Sequence, residues 1–166
     1  GELVLSSVGS VNNVRGTLQA ASSLALDVVG EVANDGGVIE SLEPEGTLEL
    51  QAAALDNGSG RIVNVGKGAT SIVLTGTLAS NGFIAGNGTL AVSAAEVDNH
   101  AAGTLASGDT MSVTAADRIA NAGTIGSGEA LWLGAVTLRN SGRVTGTGDI
   151  VVSATALDNS GGQLAT

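Results

Sequence analysis

Short stretches of alternating apolar and polar residues recur along the whole chain. Many begin with a triplet whose outer residues are aliphatic, as in Leu48-Glu49-Leu50, Leu90-Ala91-Val92 and Leu131-Trp132-Leu133. An alternation of period two is typical of a β-strand with one face inside and one outside. Glycine- and asparagine-rich segments, such as Gly86-Asn87-Gly88, lie between the stretches and are typical of turns that need a positive φ. The apolar runs are too short and too often interrupted by glycine for helices, so the pattern predicts an all-β chain.

Three aliphatic columns repeat together along the sequence at intervals of 18 to 24 residues. The predicted first column is Leu3, Leu24, Leu48, Ile72, Leu90, Met111, Leu131 and Ile150. The second is Val32, Leu55, Leu78, Val97, Ile119, Leu138 and Leu157. The third is Leu18, Ile39, Ile62, Ile84, Leu105, Ile125, Val144 and Leu164. A repeat of this kind indicates a solenoid, because a single repeat cannot bury its apolar face alone.

The fold expected from these columns is a parallel β-helix, or β-solenoid, with three short strands and about 20 residues per coil. Seven to eight coils, each rising about 4.8 Å, give a rod roughly 35 Å long. Residues 1–166 are predicted to form a single repeat segment. Residues 1–47 are expected to form less regular coils, and residues 48–166 regular ones.

Asparagine also recurs once per coil, at the corner that follows the second column. The residues concerned are Asn57, Asn99, Asn121, Asn140 and Asn159, with Asn34 and Asn81 at looser positions. Asparagine tolerates the left-handed backbone conformation and can form hydrogen bonds along a stack. We interpret this series as a structural ladder, and ligand binding by the same residues is the alternative.

The alternation also predicts which side chains point outward. Trp132 and Phe83 are both expected on outward positions, as are Arg61 and Arg143. An outward aromatic ring among small side chains is a candidate contact for a sugar, a partner protein or another fibre. The alternative is a surface aromatic residue that packs on a neighbouring loop.

Composition excludes several classes of function. The 166 residues include 16 acidic and six basic ones, for a net charge of −10, which is the wrong sign for a nucleic-acid or anionic-membrane partner. The absence of cysteine excludes disulfides and thiol catalysis. No window approaches 18 uninterrupted apolar residues, so no membrane insertion is expected.

Enzymes that act on polysaccharides also use the parallel β-helix, and they need carboxylates that converge on adjacent coils. The acidic residues after the second column are separated by Ala79, Ala120 and Arg139, so they do not supply such a site. The best acidic cluster is Asp109, Glu129 and Asp149, for which weak cation binding is the alternative to a solvated corner; the lone His100 is expected to be an exposed corner residue. We therefore predict no catalytic residue, no metal site and no cofactor.

Three segments carry a resemblance to a known family. They are Leu55-Asp56-Asn57-Gly58-Ser59-Gly60-Arg61-Ile62, Leu138-Arg139-Asn140-Ser141-Gly142-Arg143-Val144 and Leu157-Asp158-Asn159-Ser160-Gly161-Gly162-Gln163-Leu164. Each resembles the haemagglutinin repeat of filamentous haemagglutinin-type exoproteins. The similarity covers most of the chain and is strongest from about Leu48 onward.

The resemblance implies a right-handed β-helical segment of a much larger exoprotein from a Gram-negative two-partner secretion system. It implies an outer-membrane β-barrel secretion partner, a location outside the cell or on its surface, and a host-cell or bacterial receptor or glycan as binding partner. The leading function is a structural and adhesive shaft that mediates attachment to host or neighbouring cells. The alternatives are the stalk of a contact-dependent growth inhibition toxin and, less well supported, a polysaccharide-degrading enzyme.

Overall fold

A computed structural model describes residues 1–7 and 9–166, which form 20 β-strands and no helix. Accordingly, none of these residues belongs to a helix long and apolar enough to cross a membrane. The strands are all parallel to their neighbours and stack as a β-solenoid of about eight turns, with about 21 residues per turn. The predicted fold class is therefore confirmed.

In chain order the strands are β1 (Leu3–Ser7), β2 (Val11–Asn12), β3 (Thr17–Ala20), β4 (Leu24–Val28), β5 (Glu31–Ala33), β6 (Val38–Ser41), β7 (Leu48–Ala52), β8 (Ala54–Asn57), β9 (Arg61–Asn64), β10 (Thr70–Leu74), β11 (Thr77–Ser80), β12 (Phe83–Gly86), β13 (Leu90–Asn99), β14 (Thr104–Ser107), β15 (Met111–Asn121), β16 (Thr124–Ser127), β17 (Leu131–Asn140), β18 (Arg143–Gly146), β19 (Ile150–Asp158) and β20 (Gln163–Ala165).

The strands line three faces. The first face consists of β1, β4, β7, β10 and the first halves of β13, β15, β17 and β19. The second consists of β2, β5, β8, β11 and the second halves of the same four long strands. The third face is the separate sheet β3-β6-β9-β12-β14-β16-β18-β20. We number the coils one to eight; they begin at residues 3, 24, 48, 70, 90, 111, 131 and 150.

The strand registers reproduce the second and third predicted columns. Leu55, Leu78 and Val97 are aligned on the second face, and Ile62, Ile84 and Leu105 on the third. Most members of these columns are fully buried, whereas Leu157 in coil eight is 51% exposed. The stacked columns therefore form a continuous aliphatic core inside the solenoid.

The first column differs from its prediction in coil four. Thr70, not Ile72, is aligned with Leu48 and Leu90. Ile72 lies one inward position further along the strand, beside Leu50. The prediction failed because it followed aliphatic residues, whereas coil four places a buried threonine in that column. The outward residue beside Thr70 is Ser71, and Val73 lies at the next outward position of the strand.

Most corner glycines are needed because the backbones of neighbouring coils approach closely, not because the backbone has a positive φ. Among the described residues only Gly36, Gly161 and Arg15 have a positive φ, so the expectation that corner asparagines and most corner glycines adopt it was wrong. A methyl group at Gly128 would instead overlap the carbonyl oxygen of Gly108 in the coil before. Each such corner brings two backbones closer than a Cβ atom permits.

Candidate binding surfaces

A ladder of buried asparagine side chains runs through the interior along the second face. Each member lies two positions after a residue of the second column, so it points inward rather than lying at an exposed corner. The side-chain amide donates to the Oδ1 atom of the next coil over 2.7–2.8 Å in the pairs Asn13–Asn34, Asn34–Asn57, Asn99–Asn121, Asn121–Asn140 and Asn140–Asn159. The same amide also donates to a backbone carbonyl in its own or a neighbouring coil.

Sequence reasoning missed Asn13 and placed Asn81 in the ladder region. The position in coil four belongs to Ser80, whose hydroxyl accepts from Asn57 Nδ2 at 3.2 Å, and Asn81 is exposed one residue later. The ladder position lies two residues after each residue of the second column. Val11 is aligned with Val32 and extends that column to coil one, so the same spacing identifies both Asn13 and Ser80. Among the described residues, Asn99 Oδ1 is buried without a hydrogen-bond partner, because the shorter serine does not reach it.

The second face carries most of the outward charge pairs. Arg118 Nη2 lies 2.7 Å from Glu96 Oε2, and Arg118 Nη1 lies 2.9 Å from Asp98 Oδ1. The hydrogen bond with Glu96 is the main reason that the pKa of Arg118 is raised. Arg139 Nε lies 3.4 Å from Asp158, whose pKa is lowered chiefly by hydrogen bonds from the Ser160 hydroxyl and backbone N–H. Because all these side chains are partly exposed, the pairs contribute little to stability.

These charges border a groove of about 240 Å³ that also includes His100. Ala120 lies on the row between Asp98 and Arg139, and its small side chain leaves space there. The arginines and carboxylates beside this space are all engaged in the ion pairs already described. The groove therefore follows from an alternation of long and short side chains.

Phe83, Arg61 and Arg143 share one outward row on the third face. Arg61 is aligned with Phe83 on the adjacent coil, whereas Arg143 lies three coils beyond Phe83, roughly 14 Å away. Phe83 is 40% exposed. Arg61 Nη1 is 3.3 Å from Glu40 Oε2, so one of the two arginines is already paired. The structure therefore places Phe83 beside Arg61 and leaves Arg143 apart from both.

Trp132 lies on a different face from those three residues. It occupies an outward position of the first face, in a row with Ala91, Ser112 and Val151, and is 44% exposed. The indole leans along its own strand, so that a methyl group added at Gly134 would be 3.1 Å from Nε1. A hollow of about 350 Å³ lies beside the ring and is mainly apolar.

Two of the three acidic corner residues interact with each other. Asp109 and Glu129 lie on successive coils, and a hydrogen bond between them, together with their mutual repulsion, raises the pKa of Glu129. No group of three acidic, histidine or cysteine side chains among residues 1–7 and 9–166 is placed to hold a metal ion. The cation-binding alternative for Asp109, Glu129 and Asp149 thus receives no support from geometry.

Comparison with known proteins agrees with this architecture. The family model of the haemagglutinin repeat matches residues 2–41, 45–82 and 124–166, which is more than half of the chain. The chain belongs to the haemagglutinin repeat family. No curated protein and no solved structure matches the chain.

Membership of the haemagglutinin repeat family fits the solenoid, since each matched segment spans about two coils. The family is typical of secreted bacterial surface proteins, and together with the fold it supports a structural, adhesin-type role resembling that of filamentous haemagglutinin. The division of the chain at residue 47 into less regular and regular coils stays a prediction.

Proposed function

We propose that this chain is part of the shaft of a fibre on the surface of a Gram-negative bacterium, exported by two-partner secretion, and that the fibre attaches the cell to host or neighbouring cells. The role proposed is structural and adhesive rather than enzymatic. The observation that carries it is the uniform cross-section: the same three inward columns and the same parallel registers continue through all eight coils. Haemagglutinin repeat membership supports the adhesive part of the proposal.

A stacked rod suits this role for a physical reason. Each coil adds about 4.8 Å of length while burying its apolar residues against its neighbours, so a chain gains reach without needing a wider core. About eight coils therefore span roughly 38 Å. The rigid faces of the rod present fixed rows of side chains to a surface, and such rows can bind repeatedly along a fibre.

The test is attachment by the purified chain displayed at several densities on beads. Beads should adhere to epithelial cells or to Gram-negative bacteria in a saturable way, and soluble chain should compete. Preference for epithelial cells would support host attachment, whereas preference for bacteria would support contact between neighbouring cells. Beads that carry the chain and adhere no better than beads carrying serum albumin would contradict the adhesive role of this segment.

A further inference from the structure

We propose that the hollow beside Trp132 on the first face binds an uncharged pyranose sugar. This inference rests on the adhesive role proposed above and names the ligand class and the place of contact. Four observations carry it: the posture of the indole, the floor of the hollow, the surrounding hydroxyls and the distribution of charge.

The indole lies along the sheet beside Gly134. A Cβ atom at Gly134 would be only 3.1 Å from Nε1, so a larger side chain there would push against the ring. Thr114 in the coil before lies near the same glycine, with its methyl group 3.5 Å from the position that a Cβ atom would occupy. An aromatic ring that is 44% exposed can pack against the C–H groups of a sugar.

The floor of the hollow is made of small side chains. Ala91 and Ser112 precede Trp132 in its row and leave the side of the ring toward coils five and six open, while Val151 follows it on the other side. The volume of about 350 Å³ accommodates one or two sugar rings.

Hydroxyl groups surround this apolar floor. Thr89, Thr110 and Ser112 line the hollow, and their side chains can donate to or accept from sugar hydroxyls. An apolar platform bordered by a few polar groups is the usual composition of a small-ligand site. By contrast, Phe83 on the third face stands beside the Arg61–Glu40 ion pair, a different chemical setting.

The charge distribution selects against anionic sugars. Among the described residues of coils four to eight, the outward positions of the first face hold no charged side chain. The nearest corner carries two carboxyl groups, Asp109 and Glu129; a hydrogen bond between them and their mutual repulsion raise the pKa of Glu129. Sulfated or sialylated sugars would meet this negative edge, whereas uncharged sugars could donate hydrogen bonds to it.

The experiment uses the fact that Trp132 is the only tryptophan of the chain, so its fluorescence reports on this hollow alone. The purified chain is titrated with uncharged oligosaccharides of glucose, galactose, mannose and N-acetylglucosamine, with sulfated and sialylated oligosaccharides, and with phosphatidylcholine vesicles. We expect a saturable shift in emission with at least one uncharged sugar and at least tenfold weaker binding of its sulfated form.

Variants distinguish a loss of sugar binding from a loss of the fold. Trp132→Ala and Gly134→Thr, assayed by calorimetry, should each weaken sugar binding at least tenfold while the circular dichroism spectrum stays unchanged. Gly134→Thr tests the posture of the ring, because threonine and serine occupy the neighbouring positions of that row. Phe83→Ala is the matched control and should bind as the wild type does.

The proposal is overturned if no uncharged sugar binds, if sulfated sugars bind equally well, or if only vesicles change the emission. It is also overturned if Trp132→Ala binds sugar with unchanged affinity. Beads that still adhere to cells in any of these cases would show that the adhesive role survives through another surface. Sugar binding without bead adhesion would support the site and contradict the adhesive role.

Discussion

Coils one to three and coils five to eight share the same inward columns but turn their corners differently. In the earlier coils the first and second faces are formed by separate short strands. In the later coils one strand of nine to eleven residues covers both faces, with shifts of register in β13 and β15 at the bend. A bulge lets a strand bend without ending. The earlier coils are nevertheless hydrogen-bonded at the same bend, where the N–H of Ala53 donates to the carbonyl of Gly30.

The residue at the bend does not by itself decide how the corner is turned. The last inward residue of the first face is Val28 in coil two, Ala52 in coil three and Leu74 in coil four, and it is alanine in coils five to eight, beginning with Ala94 and Ala115. Coil three therefore combines a small residue with two separate strands. The comparison teaches that the inward columns define the coil, whereas the corner between the first two faces can be formed by two short strands or by one continuous strand.

The corner between the third and first faces differs as well. Coils two and three hold longer connections there than coil one does. The buried Asn64 fixes these two connections through Nδ2 bonds to the carbonyls of Gly46 and Gly68. The later coils use short connections in which Ser107 and Ser127 donate to the carbonyls of Asp109 and Glu129. Insertions are therefore tolerated at this corner because they leave the columns intact.

Coil four separates the two regions and has the weakest interior. It places Thr70 in an aliphatic column and Ser80 in the asparagine ladder. The two buried side-chain atoms without a partner among the described residues are Thr70 Oγ1 and, facing Ser80, Asn99 Oδ1. An unsatisfied buried polar group costs about 1–3 kcal/mol, so we expect the solenoid to open first at this coil.

The largest effect is expected from a charge in the core. Leu131→Asp should destabilise the native state by more than about 4 kcal/mol, because Leu131 is buried and no partner for a carboxylate is near. Hydrogen exchange should show loss of protection in coils five to eight and its retention in coils one to three. Leu50→Asp should give the reverse pattern, and unfolding of the whole chain by both variants would contradict two separable regions.

A smaller effect is expected from the ladder. Asn121→Ala should cost about 2–4 kcal/mol, since Asn99 and Asn140 each lose a buried partner. Ser80→Ala, at the equivalent position of coil four, should cost about 1 kcal/mol or less because its only ladder bond is 3.2 Å long. Chemical denaturation measures the free energy of unfolding of both variants. Equal losses would show that the ladder is not weaker at coil four than elsewhere.

Corner packing can be tested with two neighbouring glycines, Gly126 within β16 and Gly128 just after it. Gly128→Ala should destabilise by about 1–3 kcal/mol, because its methyl group would overlap the Gly108 carbonyl. Gly126→Ala, where the nearest atom is Thr145 Oγ1 at 3.5 Å, should be neutral or stabilising. Thermal unfolding of the two variants compares them, and a similar decrease in Tm would argue against the close approach of the coils.

The smallest effect concerns the acidic corner of the later coils. Because the native pKa of Glu129 is raised above its unfolded value, protonation favours the folded state, and this contribution is lost as pH rises through the native pKa. Glu129→Gln should remove the part of the pH dependence of stability that lies just above the pH range in which glutamate usually titrates. Glu49→Gln serves as the control. If both variants showed the same dependence of stability on pH, the interaction between Asp109 and Glu129 would be contradicted.

The sequence alone predicted the coil, two of the three columns and the outward positions of Trp132 and Phe83, because each depends on strict alternation. It did not predict Thr70 or Ser80, since a polar residue in an inward row looks like an interruption of the pattern. The posture of the indole over Gly134 depends on a neighbour two residues away along the strand, which no hydrophobic pattern encodes.

Hydrogen exchange, followed coil by coil in the wild type and in a Thr70→Val/Ser80→Asn variant, tests the central claim most directly. Valine removes the unpartnered hydroxyl, and asparagine supplies the missing donor to Asn99, so the variant should gain about 2 kcal/mol in total. We expect coils one to three and five to eight to exchange as two units in the wild type, with coil four the least protected internal coil, and as one unit in the variant. Uniform protection of the wild type, or no change in coil four of the variant, would contradict the account.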